Sequence, residues 1–424
     1  MSKMDMTVPY THTTSLTFAL EEGNAGEVVS PASVAADRDE AEGIARALDE
    51  PLGTPALEEM VHPGQQVLIL SDDNTRPTPT WKILPPVLER LRRAGVAEED
   101  IEVLIAAGTH RPMTDEEIEA KVGADVTRRI RVTRHRSYDP SALARAGTSS
   151  DSVEVWLNRK VVEADFVLGI GNVVPHPHAG WAGGAKILYP GVAGAETVTA
   201  FHLVGAEDPT NYLGRDDAPA RRSLEALADT AGLDFIINTV LTSEHGLYRV
   251  FCGNPRQAQA AAREAARQVY GIPVKQRYPI VIVNSYPAYL EFWQAGKGLF
   301  AADPILETNG TIILIAPCPE GIGVTHPLQV EYLSLGLAEL LRRIEAHQVQ
   351  DPIAAAVCAK VAHIRQRSRV SVVASALREE DVRRMGFEYH MSVEDALAAA
   401  LAEQGRQTKV AVITHGGETV PYVA

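Results

Sequence analysis

From Val67 onward the chain alternates short, unbroken apolar runs with stretches whose apolar positions recur at helical spacing. The run Val67 to Leu70 (VLIL) empties into SDDNTRPTP, where Pro77 and Pro79 stop a strand and start a helix through LPPVLERLRRAG. IEVLIAAG, ending at Gly108, repeats the arrangement, with THRPMTDEEIEAKVG as the polar loop and helix that follow. Further strands are predicted at IRVTRH, VEVWL, DFVLGIG and FIINTVL; helices are predicted up to about Leu203, at SLEALADTAG and from Pro255 to Tyr270. A second series begins at Tyr278, with PIVIVNS, TIILIAP, RVSVVAS and KVAVITHG as strands and LAELLRRIEAH and PIAAAVCAKVAHI among the helices. Continuous Val/Ile runs separated by amphipathic helices mark buried parallel strands. The pattern predicts an α/β fold of two α/β domains with mainly parallel sheets and an active-site cleft between them.

GIPVKQRYP breaks the periodicity between the two series, so the domains are expected at residues 1–272 and 273–424. The last ~15 residues are left free to return to the first domain. The opening sixty or so residues, ahead of this alternation, are mixed and partly acidic.

Composition narrows the function classes. The 424 residues are 45% hydrophobic and 22% charged, an ordinary globular balance. A net charge of −15 repels nucleic acid and anionic membrane, so neither is expected as a partner. No apolar run approaches the ~18 residues of a membrane span, and the N-terminus lacks a signal-peptide core. Three scattered cysteines (Cys252, Cys318, Cys358) fit neither a disulfide framework nor a cysteine zinc site, and a cytoplasmic location is expected.

In open α/β sheets ligands collect beyond the carboxyl ends of the strands. Four segments there carry unusual chemistry. SDDNTRPTP offers Asp73, Asn74, Thr75 and the bidentate fork of Arg76; AAGTHRP offers His110; WQAGKG offers Gln294 and Lys297 one helical turn apart. PHPHAGWAGGAK places Gly180, Gly183 and Gly184 before Lys186, but matches neither a Walker A loop nor a dinucleotide fingerprint. His176 and His178, two apart, could supply two ligands of a zinc hydrolase; equally, the segment could be a plain turn. His202, among apolar neighbours, reads by itself as a packed core residue.

Together these pieces resemble the nickel-dependent lactate racemase family, with its D-x-T-R-P, G-T-H-R, H-x-x-A-G-x-[SA]-G-G-x-K and Q-x-x-K motifs. Here they stand at Asp73 to Arg76, Gly108 to Arg111, His176 to Lys186 and Gln294 to Lys297, with His202 sixteen residues after Lys186. The resemblance implies a 2-hydroxyacid racemase or epimerase whose N-terminal domain binds a nickel-pincer nucleotide, pyridinium-3,5-bisthiocarboxylic acid mononucleotide. It implies that Lys186 tethers this cofactor, His202 binds its nickel, and Asp73, Asn74, Thr75 and Arg76 contact it. His110 and His176 match the paired acid/base residues, and Arg76, Gln294 and Lys297 the substrate-binding set. His178 falls at a variable motif position. The implied partners are a small 2-hydroxy acid and the enzymes that make the cofactor; oligomeric state is left open.

Removing a proton from carbon beside a carboxylate builds charge next to charge, which a hydride acceptor avoids. Trp181, Ala182 and Trp293 depart from many members, and bulkier or sugar 2-hydroxy acids suit the chain as well as lactate does. The alternatives carried forward are the zinc hydrolase and a non-catalytic sugar-acid or nucleotide-binding protein.

Overall fold

A computed structural model describes residues 2–149 and 152–424. Two six-stranded sheets organise it. The first runs, edge to edge, Leu247–Gly253, Phe235–Leu241, Phe166–Asn172, Val67–Asp72, Ile101–Ala106 and Arg131–Arg134, parallel throughout except for the antiparallel edge strand Leu247–Gly253. The strand Val67–Asp72 is buried at all six positions because successive side chains enter opposite layers. Val67 and Ile69 pack with Ile83, Leu84 and Val87 of the helix Thr80–Arg93, while Leu68 and Leu70 pack with Ile187, Val198 and Phe201. The chain fills one side of this strand first and then returns to the other. The switch point therefore lies between the carboxyl ends of Val67–Asp72 and Phe166–Asn172, where ligand crevices form.

The second sheet is wholly parallel, in the order Glu388–His390, Ser368–Val373, Leu306–Ile315, Tyr278–Asn284, Val410–Ile413 and Ala25–Val29. Its switch point lies between Tyr278–Asn284 and Val410–Ile413, just before the segment that carries Gln294 and Lys297.

The N-terminal residues depart from the expected division at 272/273. Ala25–Val29 is an edge strand of the second sheet, and the hairpin Lys3–Pro9/Ser15–Glu21 lays Met6, Val8, Phe18 and Leu20 on Ile280, Ile282, Ile313 and Ile315. Alternation within this hairpin is visible in retrospect; its partner strands lie some 250 residues away, and the local pattern does not name them. Burying Phe18 and Leu20 contributes roughly 1.5–3 kcal/mol each.

The expected linker also has structure. Gly271–Val274 pairs in parallel with Val420–Val423, so the chain's end returns to the stretch that follows the helix Pro255–Tyr270. VEVWL forms a strand, Glu154–Asn158, but in a separate hairpin with Leu143–Thr148 rather than in the main sheet.

Candidate active site

The loops leaving the two switch points line one cavity of about 170 Å³. Asp73, Thr75, Arg76, His110, His176, Lys186, His202, Gln294 and Lys297 all border it. Asn74, expected at the cofactor, is not among the lining residues; its amide donates to Glu117 Oε1 at 2.9 Å.

A directional hydrogen-bond chain crosses the cavity from the second sheet to the first. Lys297 Nζ donates to Gln294 Oε1 at 2.5 Å, which leaves the Gln294 Nε2 amide to donate to His110 Nε2 at 3.3 Å. His110 Nδ1 in turn donates to Asp73 Oδ2 at 2.7 Å. Thr75 Oγ1 donates to the other carboxylate oxygen at 2.6 Å and receives Arg76 Nη1 at 3.0 Å. Burial by itself would raise the Asp73 carboxyl, yet His110, Arg76 and Thr75 outweigh it and hold the group well below the ordinary carboxylate range. An ionised carboxylate only accepts, so neutral His110 carries its proton on Nδ1, and its Nε2 lone pair, directed toward Gln294, is on the cavity side.

His176 is supported in the opposite way. Its Nδ1 accepts the backbone N–H groups of His178 at 3.2 Å and Ala179 at 3.1 Å. The neutral ring therefore carries its proton on Nε2. Burial, together with the cations Lys186, Lys297 and Arg76, pushes its pKa well below the ordinary histidine value.

The hairpin Pro175–His176/Gly180–Trp181 requires glycine at its turn. Gly180 has φ +74°, and a Cβ there would stand 1.8 Å from the Arg215 carbonyl oxygen. Next along the chain, Asn238 Oδ1 accepts the Gly184 N–H at 2.8 Å, which fixes the short helical turn Gly184–Ile187 that carries Lys186. Burial, reinforced by Arg76 and Arg221, brings the Lys186 amine down to about 7. On the helix Ala195–Leu203, His202 Nδ1 donates to Val198 O at 2.9 Å, leaving Nε2 bare as a metal-binding imidazole requires.

The His176/His178 zinc pair finds no support. His178 Nε2 donates to Phe201 O at 2.6 Å, its ring packs edge-on against Phe201, and His176 Nδ1 is taken by amides. Among the described residues, no three His, Cys, Asp or Glu side chains converge as a metal site.

Two buried polar residues went unremarked in the sequence. Asn172, the last residue of Phe166–Asn172, borders the cavity with neither amide atom hydrogen-bonded. Arg221 is buried and donates to the carbonyls of Trp181 and Gly183, tying down the glycine-rich segment. A polar residue closing an all-apolar strand was the available signal for Asn172; Arg221 sits in an amphipathic helix and carried none.

Family models and known proteins match both halves of the chain. Residues 10–214 match the lactate racemase N-terminal domain model and residues 275–420 the lactate racemase C-terminal domain model. The chain is 28% identical to a lactate racemase of Lactiplantibacillus plantarum over 419 residues, 96% of this chain and 97% of that protein. It is 30% identical over 285 residues to a lactate racemase of Thermoanaerobacterium thermosaccharolyticum, 66% of each chain. The structure of a lactate racemase apoprotein from Thermoanaerobacterium thermosaccharolyticum superposes with a TM-score of 0.88 at 25% identity, covering 99% of this chain and all of that one. With one sheet's loops matching each domain model and the fold shared from end to end, the chain belongs to the lactate racemase family.

Proposed function

We propose that the protein is a 2-hydroxyacid racemase or epimerase that inverts the carbon beside the carboxylate, working in the cytoplasm with a nickel-pincer nucleotide tethered at Lys186. The observation that carries this reading is the chain from Lys297 through Gln294 and His110 to Asp73, with His176, Lys186 and His202 bordering the same cavity.

The residues fit such a group. Lys186, with its amine brought down to about 7, keeps a substantial neutral and therefore nucleophilic fraction at neutral pH, as an amine that must form a thioamide has to. His202 presents a bare Nε2 to a metal, and the unpartnered amide of Asn172 offers a donor and an acceptor to a polar ligand. Asp73, Thr75 and Arg76 would hold the cofactor from the side of the first sheet. When bound, the group supplies a hydride acceptor, so that the substrate passes through a planar 2-keto acid.

The protein's own residues do the rest. Arg76 and Lys297 would hold the substrate carboxylate: burial beside Arg76 and Lys186 pushes the Lys297 amine well below its ordinary value, and a carboxylate seated there favours its charged form, which is how a chain of net charge −15 takes an anion. His110 Nε2 takes the hydroxyl proton, and the resulting imidazolium is stabilised by Asp73. His176 offers its Nε2–H to the substrate oxygen on the other side. To serve the opposite enantiomer as base, His176 must first change tautomer, carrying its proton on Nδ1 in place of the two amide bonds there, so the two rings are not interchangeable. Trp293, Phe300, Leu333, Val357 and Val361 add an apolar wall from the second unit, which supports an R group larger than the methyl of lactate.

The test is a panel of enantiopure 2-hydroxy acids, given to protein expressed with the cofactor-making enzymes, in ordinary and deuterated water. Racemisation without deuterium at the inverted carbon is expected. Deuterium wash-in there would overturn hydride return. Intact mass should show the cofactor on wild type and not on Lys186→Ala; equal masses would overturn the tether.

A further inference from the structure

His110 belongs to the first sheet's loops and Gln294 to the second's, so the 3.3 Å bond between them depends on how the two units are registered. One loop, residues 316–328 after the strand Leu306–Ile315, grips the chain on both sides of His110. On one side Arg111 makes a two-pronged pair with Glu320, Nε to Oε2 at 3.0 Å and Nη2 to Oε1 at 2.9 Å. On the other, Thr109 Oγ1 donates to His326 Nε2 at 3.3 Å.

His326 is fully buried with both ring nitrogens engaged. Its Nδ1 donates to Asp351 Oδ2 at 2.8 Å, and Asp351 caps the helix Pro352–Arg365 by accepting the Ala354 N–H at 3.0 Å. The imidazole also stacks on Trp293, centroids 4.2 Å apart and planes 28° from parallel, beside Gln294 in sequence. The same loop supports that turn through its backbone: Gly321 O receives Phe292 N–H and Ile322 O receives Trp293 N–H, both at 2.9 Å.

Glu320, His326 and Asp351 lie outside the motifs assigned above, whereas Thr109 and Arg111 belong to the Gly108 to Arg111 motif that they hold in place. We propose that this loop is a latch, and that His326 is a positioning residue for His110, acting through Thr109 on one side and Trp293 on the other. A carboxylate-anchored imidazole is a rigid spacer. With its proton fixed on Nδ1 by Asp351, Nε2 can only accept, so the Thr109 hydroxyl has one orientation and the loop carrying His110 one register. The kinetic consequence rests on the proposed role of His110 as base.

Thr109→Val removes only the hydroxyl, His326→Leu the ring, and His326→Gln leaves an amide able to accept from Thr109. Two readouts are taken: the ring ¹⁵N resonances of His110 in histidine-labelled apoprotein, and kcat and KM of cofactor-loaded enzyme. Thr109→Val and His326→Leu should each move the His110 resonances and lower kcat roughly ten- to hundredfold, with KM changed less than about threefold. The double variant should lose no more than the worse single one, and His326→Gln should recover part of the loss. Unmoved His110 resonances with kcat within about twofold of wild type, or losses that multiply, would overturn the latch. If His326→Leu does not fold, Thr109→Val and the partly exposed Glu320→Gln decide by the same two readouts. Should loaded wild type racemise nothing, the proposed activity fails, while the resonances still decide whether the latch positions His110.

Discussion

His110 and His176 border one cavity, yet the groups behind their rings are of opposite kinds. An ionised, buried carboxylate stands behind His110; two backbone amides stand behind His176. The first support pulls a proton onto Nδ1 and readies the outer nitrogen to accept. The second fills Nδ1 and leaves a proton on the outer nitrogen, in a pocket where nearby cations oppose a second one. Two residues of the same type thus hold their protons on opposite ring nitrogens. For a substrate whose two forms are enantiomers the equilibrium constant is unity, so kcat/KM must be equal in the two directions, and the asymmetry can show only in how each direction divides it between kcat and KM.

The strongest way to break this comparison is to remove the carboxylate. Asp73→Asn should lower kcat of the loaded enzyme about 10³-fold or more, because an amide no longer enforces the Nδ1–H tautomer. A loss below about tenfold would mean that the tautomer is set elsewhere. Next in size is a paired substitution at each histidine. Glutamine keeps an N–H donor but no base, so His176→Gln should retain clearly more activity than His176→Leu, which should fall about 10²-fold, whereas at His110 the two variants should be equally poor. Equal rescue at both positions would erase the distinction.

A smaller effect reports on the cations that keep His176 neutral. Lys186 sits near pKa 7 in the folded protein and at its ordinary 10.5 when unfolded, so between these values the unfolded chain binds more protons and wild-type stability rises with pH. Lys186→Met removes that penalty. Its melting temperature should exceed that of wild type most below pH 7, with the gap closing toward pH 10.5; a gap independent of pH would count against a strained amine. The smallest effect is expected at Asn74, turned toward Glu117: Asn74→Ala should change kcat/KM less than about twofold.

The alternation of apolar runs and helices was enough to foresee two parallel α/β sheets, because a strand buried on both faces has to be apolar at every position, as Val67–Asp72 shows. Proline and glycine after those strands marked the loops that carry Asp73, His110, His176 and Lys186, since loops at strand ends must bend and approach ligands closely. The N-terminal hairpin and the strand Ala25–Val29 were missed because their partners are distant in sequence, and pairing across such distances leaves no local mark beyond a period of two.

What the sequence determined by itself was therefore chemical identity and approximate place: which side chains stand at strand ends, and that three cations and three histidines could meet in one cleft. Their states were decided only by tertiary structure. Whether a histidine accepts or donates depends on the atom behind its other nitrogen, and for His110 that atom arrives from a neighbouring strand's loop, for His176 from its own turn. Asn74 finds its partner in Glu117, and the chain on either side of His110 meets Glu320 and His326, some two hundred residues further along. Hydrogen-bond direction is a property of close contacts in space, and those exist only once both sheets have folded.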